Sequence, residues 1–489
     1  MPTLYFRMQT SLTTIAILVA CTLWVRSSQS QDLSHRKSNL TVTVVDGNGN
    51  PLSDAVLGIQ MKQHTFRFGT QIRDRFFSIS QNEFESLTDL QKQALLPDLS
   101  QFGQSRYTPT WQDALTYRQV VFEQFNHVVP TTGMQWIAYN RKGPDVPDAT
   151  IELAQSGGLG VSGASVVWQR DAWPTPDEYR SLANPNPAEF HNALLKDRLS
   201  ADGIMGRYSD FGEGPAINSW KLLNEPLHED YFARTFVDAG IYANQTDALT
   251  DYFVRADSLR PDAVLSINDF NILNSGNDNA AIAFRDQVNA LLDNGAPIDM
   301  IGVQAHMSRN DVSKEDISRR LNILAETGLG IEITEFDSRD DAQQLTPEEQ
   351  EQVFSDVLEA AFENPAVEGF IMWGPWDPGH WRGNAPLFDA DWNIKEEASP
   401  WFDLVRGEWM PMLDGLELDS QGQWTAPDGL FRGDYDFTVT FNGQTRHFRN
   451  YDLSSDGNFL LAVPEPGSAV AGIVLLTLLA CRGRRRFAT

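Results

Sequence analysis

Residues 217–226 read Ile-Asn-Ser-Trp-Lys-Leu-Leu-Asn-Glu-Pro, and this stretch decides how the rest of the chain is interpreted. The apolar run predicts a buried β-strand that ends at Asn224, Glu225 and the helix-breaking Pro226. A carboxylate at the end of a buried strand is costly unless it is paired, hydrogen-bonded or functional. Glu225 is therefore a candidate catalytic group, and we expect the fold to place a second carboxylate opposite it.

Seven further apolar runs alternate with helical patterns, and together they predict a (β/α)8 TIM barrel, an α/β fold, over residues 64–406. The eight predicted strands cover residues 66–71, 127–134, 160–168, 217–224, 263–269, 298–305, 329–335 and 369–374. The helical patterns cover residues 82–96, 112–125, 246–258, 279–293, 313–326 and 347–363. In this fold the chemistry lies at the carboxyl ends of the strands.

Polar or aromatic residues end five successive predicted strands. They are Asn224 and Glu225 on the fourth, Asn268 and Asp269 on the fifth, Gln304 and His306 on the sixth, Glu335 and Asp337 on the seventh, and Trp373, Trp376 and Asp377 on the eighth. One polar strand end carries little information, but five in succession are hard to explain as barrel core. The pattern predicts a catalytic cleft over these strand ends.

Glu225 and Glu335 form the predicted catalytic pair. Hydrolysis of a glycosidic bond needs a carboxylic acid that protonates the leaving oxygen and a carboxylate that attacks or activates water. On strands four and seven the two groups face each other over the barrel mouth, which suits the separation of about 5–5.5 Å of a retaining mechanism. We predict that Glu225 is the acid/base, with a raised pKa, and that Glu335 is the nucleophile.

Three further side chains are predicted to support this pair. Asn224 is placed to hydrogen-bond the 2-hydroxyl of the sugar, and His306 with Asp337 is expected to keep Glu335 ionised. Considered alone, His306 fits a structural histidine at the end of a barrel strand better than a catalytic one. The set as a whole favours catalysis.

The overall charge and the cysteines exclude several classes of protein. The formal net charge of −28 argues against nucleic acid or anionic lipid as a partner, and it fits a secreted protein that acts on a neutral polymer, although acidity also serves solubility. Cys21 and Cys481 lie in terminal apolar segments, so the body has no disulfide framework or cysteine metal site. We predict no metal site and no cofactor.

The two ends of the chain are predicted to be targeting segments. Residues 1–30 have the pattern of a secretory signal peptide, cut near Ser30, with lipidation at Cys21 or an uncleaved anchor as alternatives. Residues 463–489 contain Pro-Glu-Pro, a short apolar stretch and an arginine cluster, an order that resembles the bacterial PEP-CTERM sorting signal. The resemblance implies export to the cell surface or medium and an exosortase-type partner; a simple tail anchor is the alternative. Membrane contact is expected only through these terminal segments.

Two segments outside the barrel are predicted to be β-structure. Residues 39–63 alternate at period two, and residues 407–462 form a small accessory β module in which Asn442-Gly443 marks a hairpin. The two segments could pair into one sandwich. Trp409 and Trp424 could be glycan platforms there, but packing against the barrel is the alternative role.

Residues 64–406 resemble glycoside hydrolase family 10, the retaining β-1,4-xylanases built on a (β/α)8 barrel. The matching motifs are Trp220–Pro226 for the acid/base, Ile333–Asp337 for the nucleophile, Gly302–His306 on strand six, Trp373–Arg382 on strand eight and Asn268–Asn271 on strand five. The resemblance implies an endo-1,4-β-xylanase-like hydrolase of a polysaccharide or oligosaccharide. It also implies substrate-binding roles for Trp136, Trp168, Gln304, Trp373 and Trp381.

The chain departs from the family pattern at five positions. Ala164 stands where the family has histidine, Asp171 stands where it has glutamine, and Thr131, Thr132 and Gln135 replace the strand-two glutamate, asparagine and lysine. These family residues grip the glycone sugars, and losing several hydrogen bonds to hydroxyls weakens catalysis by orders of magnitude. Three interpretations stay open: a xylanase-like enzyme, a related glycosidase for another plant or algal β-glycan, and a non-catalytic carbohydrate-binding envelope protein.

Overall fold

The computed structural model describes residues 32–308, 311–338 and 345–464. The predicted signal peptide, both cysteines and nearly all of the predicted sorting segment lie outside these ranges. Among the helices that are described, none combines the length and the apolar character needed to cross a bilayer.

The strands form the ten-stranded barrel sheet and three smaller sheets. The strands in chain order are β1 Lys37–Ser38, β2 Leu40–Asp46, β3 Val56–His64, β4 Arg67–Ile72, β5 His127–Pro130, β6 Gly160–Val161, β7 Val167–Trp168, β8 Ser219–Asn224, β9 Val264–Asp269, β10 Met300–Val303, β11 His306–Met307, β12 Gly330–Ser338, β13 Val367–Met372, β14 Met412–Glu417, β15 Gln423–Thr425, β16 Leu430–Phe431, β17 Gly433–Phe441, β18 Gln444–Asp452 and β19 Gly457–Val463. Every apolar run that the sequence predicted as a barrel strand contains strand structure.

The helices lie mostly between the barrel strands. In chain order they are α1 Asp74–Ser78, α2 Gln81–Ser86, α3 Asp89–Gln93, α4 Trp111–Gln124, α5 Trp136–Lys142, α6 Asp145–Ser156, α7 Pro187–Arg198, α8 Ile204–Arg207, α9 Tyr231–Asp238, α10 Gln245–Leu259, α11 Asn279–Asp293, α12 Lys314–Ala325 and α13 Pro347–Glu363. The single helix predicted over residues 82–96 is instead two helices, because Thr88 forms a capping box with Gln91 and starts α3.

The parallel strands follow the order β6-β5-β4-β13-β12-β10-β9-β8-β7. The ends of this series, β6 and β7, belong to one predicted strand that is interrupted between residues 161 and 167. The gap is bridged by backbone hydrogen bonds, in which Gly163 N–H donates to Ser219 O at 2.8 Å and Val166 N–H donates to Lys221 O at 2.9 Å. The strands therefore close into the predicted (β/α)8 barrel.

A buried arginine stabilises the interrupted strand. Arg198, at the end of α7, is fully buried, and its guanidinium donates to the carbonyl oxygens of Val166 at 2.9 Å, Ser165 at 2.9 Å and Met134 at 3.0 Å. Buried carbonyl groups that are not hydrogen-bonded to a neighbouring β-strand need such donors, because an unsatisfied buried acceptor is costly. Arg198 thus replaces the strand partners that residues 165 and 166 lack.

The N-terminal and C-terminal β segments form one accessory module. Strand β2 pairs with β15 and β19, while β3 pairs with β14 and β17. Two residues separate β3 from the first barrel strand β4, so the module sits at the amino-terminal end of the barrel. Trp409 is fully buried there and stacks on Phe362 at a centroid distance of 3.9 Å, which gives it a packing role and excludes a glycan platform.

We expect Arg198→Met to lower the free energy of unfolding by about 3 kcal/mol or more, because it leaves three buried carbonyl groups without their charged donor. Denaturant unfolding of the full chain measures this loss. Arg141→Met is the matched control, since Arg141 forms an exposed ion pair with Asp177 and such pairs contribute at most about 1 kcal/mol. Equal stability of the two variants would contradict the role assigned to Arg198.

Candidate active site

The carboxyl ends of the barrel strands open into a cleft of about 580 Å³. It brings together most of the residues that the sequence singled out, namely Trp168, Asn224, Glu225, Gln304, His306, Glu335, Trp373 and Trp381. In the described ranges no group of three His, Cys, Asp or Glu side chains is arranged to hold a metal ion. Carboxyl groups and their hydrogen-bonding partners line the centre of the cleft.

Glu225 lies directly after β8 and receives two neutral donors. Gln304 Nε2 donates to its Oε1 at 2.9 Å, and Trp168 Nε1 donates to its Oε2 at 2.7 Å. The residue is only 8% exposed. Burial raises the pKa of Glu225 above its usual value. The hydrogen bond from Gln304 lowers this pKa and the negative charge of Glu335 raises it, so the net shift is upward. Glu225 is therefore arranged to hold a proton.

The backbone of Glu225 is strained. Its φ of +59° lies in the left-handed region, which costs a residue with a side chain on the order of 1–3 kcal/mol. The surrounding turn holds it there: Glu225 N–H donates to Asn268 O at 2.6 Å, and Asp269 accepts from Leu227 N–H at 2.7 Å and contacts His228 Nδ1 at 2.6 Å. The fully buried Asp269 thus positions the turn that directs Glu225 into the cleft.

Glu335 lies on β12 and is surrounded by cations. Lys221 Nζ forms a short ion pair with its Oε1, and His306 Nε2 lies 3.3 Å from its Oε2. Burial alone would raise the pKa of Glu335, but Lys221 and His306 outweigh it and hold that pKa below its usual value. Glu335 is therefore ionised under the conditions in which Glu225 keeps its proton.

His306 is linked to the buried Asp337. Its Nδ1 lies 2.8 Å from Asp337 Oδ2, an oxygen that also accepts from Trp381 Nε1 at 2.8 Å. Burial disfavours the imidazolium, but Asp337 and Glu335 overcome this and raise the pKa of His306 to about 9. His306 is thus a cation at neutral pH, held between two carboxylates, which is the network predicted from the sequence.

Asn224 is fixed by a second amide. Asn268 Nδ2 donates to Asn224 Oδ1 at 2.7 Å and lies 3.3 Å from Glu335 Oε1, while Thr334 Oγ1 donates to Asn268 Oδ1 at 2.6 Å. These contacts assign the orientation of both amides, because each oxygen faces a donor. The amide nitrogen of Asn224 is left for a hydroxyl in the cleft.

Trp136 and Asp171, which were expected in the cleft from the sequence, lie outside it. Trp136, predicted to bind substrate, is 4% exposed; its ring stacks on Tyr179 and its Nε1 donates to Asp197 at 2.9 Å, so it packs α5 against its neighbours. Asp171 is exposed and accepts from Ser181 N–H at 2.7 Å outside the cleft. The substrate-binding role of Trp136 was the wrong prediction, because its indole faces the core.

Lys221 and Trp173 are among the cleft residues to which the sequence pattern assigned no role. Lys221 stood within the apolar run of the fourth strand, where a charged residue that interrupts an apolar pattern was a signal that it has a buried partner. Trp173 is 44% exposed at the cleft and makes an edge-to-face contact with Trp168 at 5.8 Å. Such a half-exposed ring offers a surface on which a sugar can stack.

The fold is similar to that of solved xylanases. The structure of native xylanase 10B from Thermotoga maritima aligns with a TM-score of 0.53 and 20% identity, over 70% of this chain and 96% of that chain. Xylanase 10B from Thermotoga petrophila RKU-1 in complex with xylobiose aligns with a TM-score of 0.53 and 19% identity, over 70% and 95% of the two chains. At these identities the likeness establishes the shared fold.

Curated proteins and the family profile agree with the fold. Anti-sigma-I factor RsgI6 of Acetivibrio thermocellus is 26% identical over 437 residues, which are 88% of this chain and 48% of that protein, so this chain spans about half of that relative. Endo-1,4-beta-xylanase B of Thermotoga neapolitana is 27% identical over 307 residues, which cover 58% of this chain and 81% of that enzyme. The profile of glycosyl hydrolase family 10 matches residues 91–401, more than half of the 489 residues, and the chain belongs to this family.

Proposed function

We propose that the chain is a retaining glycoside hydrolase that cleaves a β-1,4-linked glycan in the manner of an endo-xylanase. The observation that carries the proposal is the contrast between two buried carboxyl groups in one cleft. Glu335 contacts the cations Lys221 and His306, whereas Glu225 accepts from the neutral donors Trp168 and Gln304. This contrast raises the pKa of Glu225 and lowers that of Glu335. Family membership and the xylanases among its relatives support the same reaction.

In the first step Glu335 attacks the anomeric carbon while Glu225 gives its proton to the leaving oxygen. The bond from the sugar to the leaving oxygen breaks as the bond to Glu335 forms, which leaves a glycosyl ester on Glu335 and a carboxylate on Glu225. Lys221 and His306 keep Glu335 ionised before the attack. Trp168 and Gln304 hold the Glu225 carboxyl group in position.

In the second step the carboxylate of Glu225 takes a proton from water, which attacks the anomeric carbon and releases Glu335. The ester carries no charge, so it no longer raises the pKa of Glu225, whose conjugate base then becomes stable enough to act. Two displacements at the same carbon retain its configuration.

A second candidate is a glycan-binding domain with little turnover. The ion pair between Lys221 and Glu335 favours it, because an ammonium in contact with the nucleophile stabilises the carboxylate and lowers its reactivity. The departures at Thr131, Thr132, Gln135 and Ala164, all of which line the cleft, favour a β-glycan other than plain xylan in either case.

We expect Glu335→Gln to abolish hydrolysis of xylan and of aryl β-glycosides, because both steps need the nucleophile. Glu225→Gln should reduce xylan hydrolysis by several orders of magnitude but spare a nitrophenyl glycoside in the first step, since that leaving group needs no protonation. Steady-state and burst kinetics on both substrates measure this difference. Equal losses on the two substrates for Glu225→Gln would contradict its role as the acid.

The pH profile of kcat/KM should be bell-shaped, with an acid limb set by ionisation of Glu335 and an alkaline limb set by loss of the proton from Glu225. Lys221→Met removes the cation that lowers the pKa of Glu335, so the acid limb should move to higher pH. Lys314→Met is the control, because its partners Glu359 and Glu363 lie outside the cleft. An acid limb that stays in place would show that Lys221 does not hold Glu335 ionised.

We also propose that the protein is exported and sorted at the bacterial envelope. The apolar segment within residues 1–30 and the Pro-Glu-Pro, apolar and arginine order within residues 463–489 support this. An exosortase-type enzyme is the proposed partner at the C-terminus. The cleft and the terminal segments would then serve glycan hydrolysis outside the cytoplasm.

We expect the protein recovered from the producing bacterium to begin near Gln31 and to lack the arginine cluster, which intact-mass measurement and terminal peptide mapping would detect. Replacing Pro464, Glu465 and Pro466 by alanine should leave the C-terminal segment attached and retain the protein in the cell membrane. A mass that corresponds to all 489 residues in the unaltered protein would rule out both processing events.

A further inference from the structure

The cleft has a different charge balance from the rest of the chain. The sequence contains 38 lysines and arginines against 66 aspartates and glutamates. Among the residues that line the cleft, by contrast, lysine and arginine outnumber the carboxylates; they are Arg73, Arg170, Lys221 and Arg382 against Glu225, Glu229 and Glu335. His306, with its pKa raised to about 9, adds a further positive charge.

Arg73 differs from two of the other cleft cations in how its charge is matched. Lys221 is paired with Glu335, and Arg170 Nε lies 3.1 Å from Glu229 Oε1. Arg73 follows the first barrel strand. Among the described residues, no carboxylate oxygen lies within 4.0 Å of its guanidinium nitrogens, the distance at which an ion pair forms. Its Nε donates to Gly379 O at 2.5 Å, which anchors the stem and leaves the terminal nitrogens for another acceptor.

Two buried amide oxygens lie on the same side of the cleft as Arg73. Gln71 is 2% exposed, and its Nε2 donates to Ile72 O at 2.6 Å and to Thr131 Oγ1 at 3.0 Å, which fixes its orientation. Its Oε1 and that of the buried Gln135 have no hydrogen-bond partner in the described part of the chain. Buried acceptors normally have a donor, and sugar hydroxyls would supply one here.

This side of the cleft is where the chain departs from its family. Thr131, Gln135 and Ala164 line this part of the cleft, and they stand where the sequence resemblance implies family residues that grip the glycone sugars. The contact from Gln71 to Thr131 connects the end of the first strand to that region. Arg73 and the two amide oxygens therefore form a replacement set for the family's glycone contacts.

We propose that the glycone side of the cleft binds a sugar that carries an anionic group, either the carboxylate of a uronic acid or a sulfate ester, with Arg73 as the receptor for that group. The planar guanidinium presents parallel N–H donors that match the oxygens of both groups. Gln71 and Gln135 accept from hydroxyls of the same sugar. The proposal deepens the proposed function, because it rests on this cleft being the glycan site.

The electrostatics of the whole chain support this assignment. A body with a formal net charge of −28 repels an anionic polymer unless the binding cleft presents cations that reverse the local field. A neutral glycan can accept hydrogen bonds from the Arg73 guanidinium, but only an anionic group also neutralises its charge. The expectation of a neutral polymer, drawn from the overall composition, thus applies to the outer surface but not to the cleft.

Calorimetric titration of the full chain carrying Glu335→Gln tests the proposal without turnover. The probes are a neutral β-1,4-xylo-oligosaccharide and two matched oligosaccharides that carry, on the glycone side, either a uronic acid or a sulfate ester. We expect at least one anionic probe to bind about tenfold or more tightly than the neutral one. The arm that shows this preference identifies which anionic group is recognised.

Adding Arg73→Gln should abolish this preference, so that the anionic probe binds no more tightly than the neutral one. Arg73→Lys should retain part of the preference for the anionic probe, because it keeps the positive charge. Thermal unfolding of each variant shows whether a loss of binding comes from misfolding. Arg75→Gln is the matched control. It removes the same charge two residues away, where Arg75 forms an exposed ion pair with Glu83.

Equal or weaker binding of both anionic probes would overturn the proposal, as would an Arg73→Gln variant that keeps the preference. The outcome is separable from the proposed function. Absence of hydrolysis by the unaltered chain on every glycan would sink the hydrolase proposal, while the binding preference and its dependence on Arg73 would still decide the charge of the sugar.

Discussion

Two buried carboxyl groups share one cleft, and the chain must hold one of them protonated and the other ionised. Two carboxylates at close range in a low dielectric raise each other's pKa. One carboxyl group therefore stays ionised while the other keeps its proton only if cations lie next to the first. Lys221 and His306 are these cations beside Glu335, whereas Glu225 receives only the neutral donors of Trp168 and Gln304. Because these groups come from different strands, the division of charge depends on the closed barrel.

Much of the fold follows from local signals in the sequence. Helices α11 and α13 have the predicted bounds because their apolar periodicity is clear, and Thr346 caps the start of α13. The interruption of the third strand could not be predicted in this way. It depends on Arg198, which is 32 residues from Val166 and satisfies carbonyl groups that periodicity assigns to a regular ladder.

The candidate site shows the same limit. Glu225 and Glu335 were predictable because carboxylates at the ends of buried strands interrupt an apolar pattern at the place where this fold performs chemistry. The partner of Lys221 lies 114 residues away, so the sequence marked an unusual lysine without saying what it contacts. The substrate-binding role predicted for Trp136 was wrong for a related reason, because the residue type does not reveal whether the ring faces the cleft or the core. Substrate preference is set by such long-range contacts, which explains why the reaction was easier to predict than the sugar.

The proposed mechanism requires that Glu335 forms a covalent bond to the sugar. An activated 2-deoxy-2-fluoro β-glycoside tests this directly, because the fluorine destabilises both transition states while the good leaving group still permits the first step, so that the glycosyl ester accumulates. Peptide mapping by mass spectrometry should then find one glycosyl unit on the peptide that contains Glu335, and none in Glu335→Gln. A glycosyl group on another carboxylate, or turnover of the natural glycan to an initially inverted anomer, would contradict the mechanism.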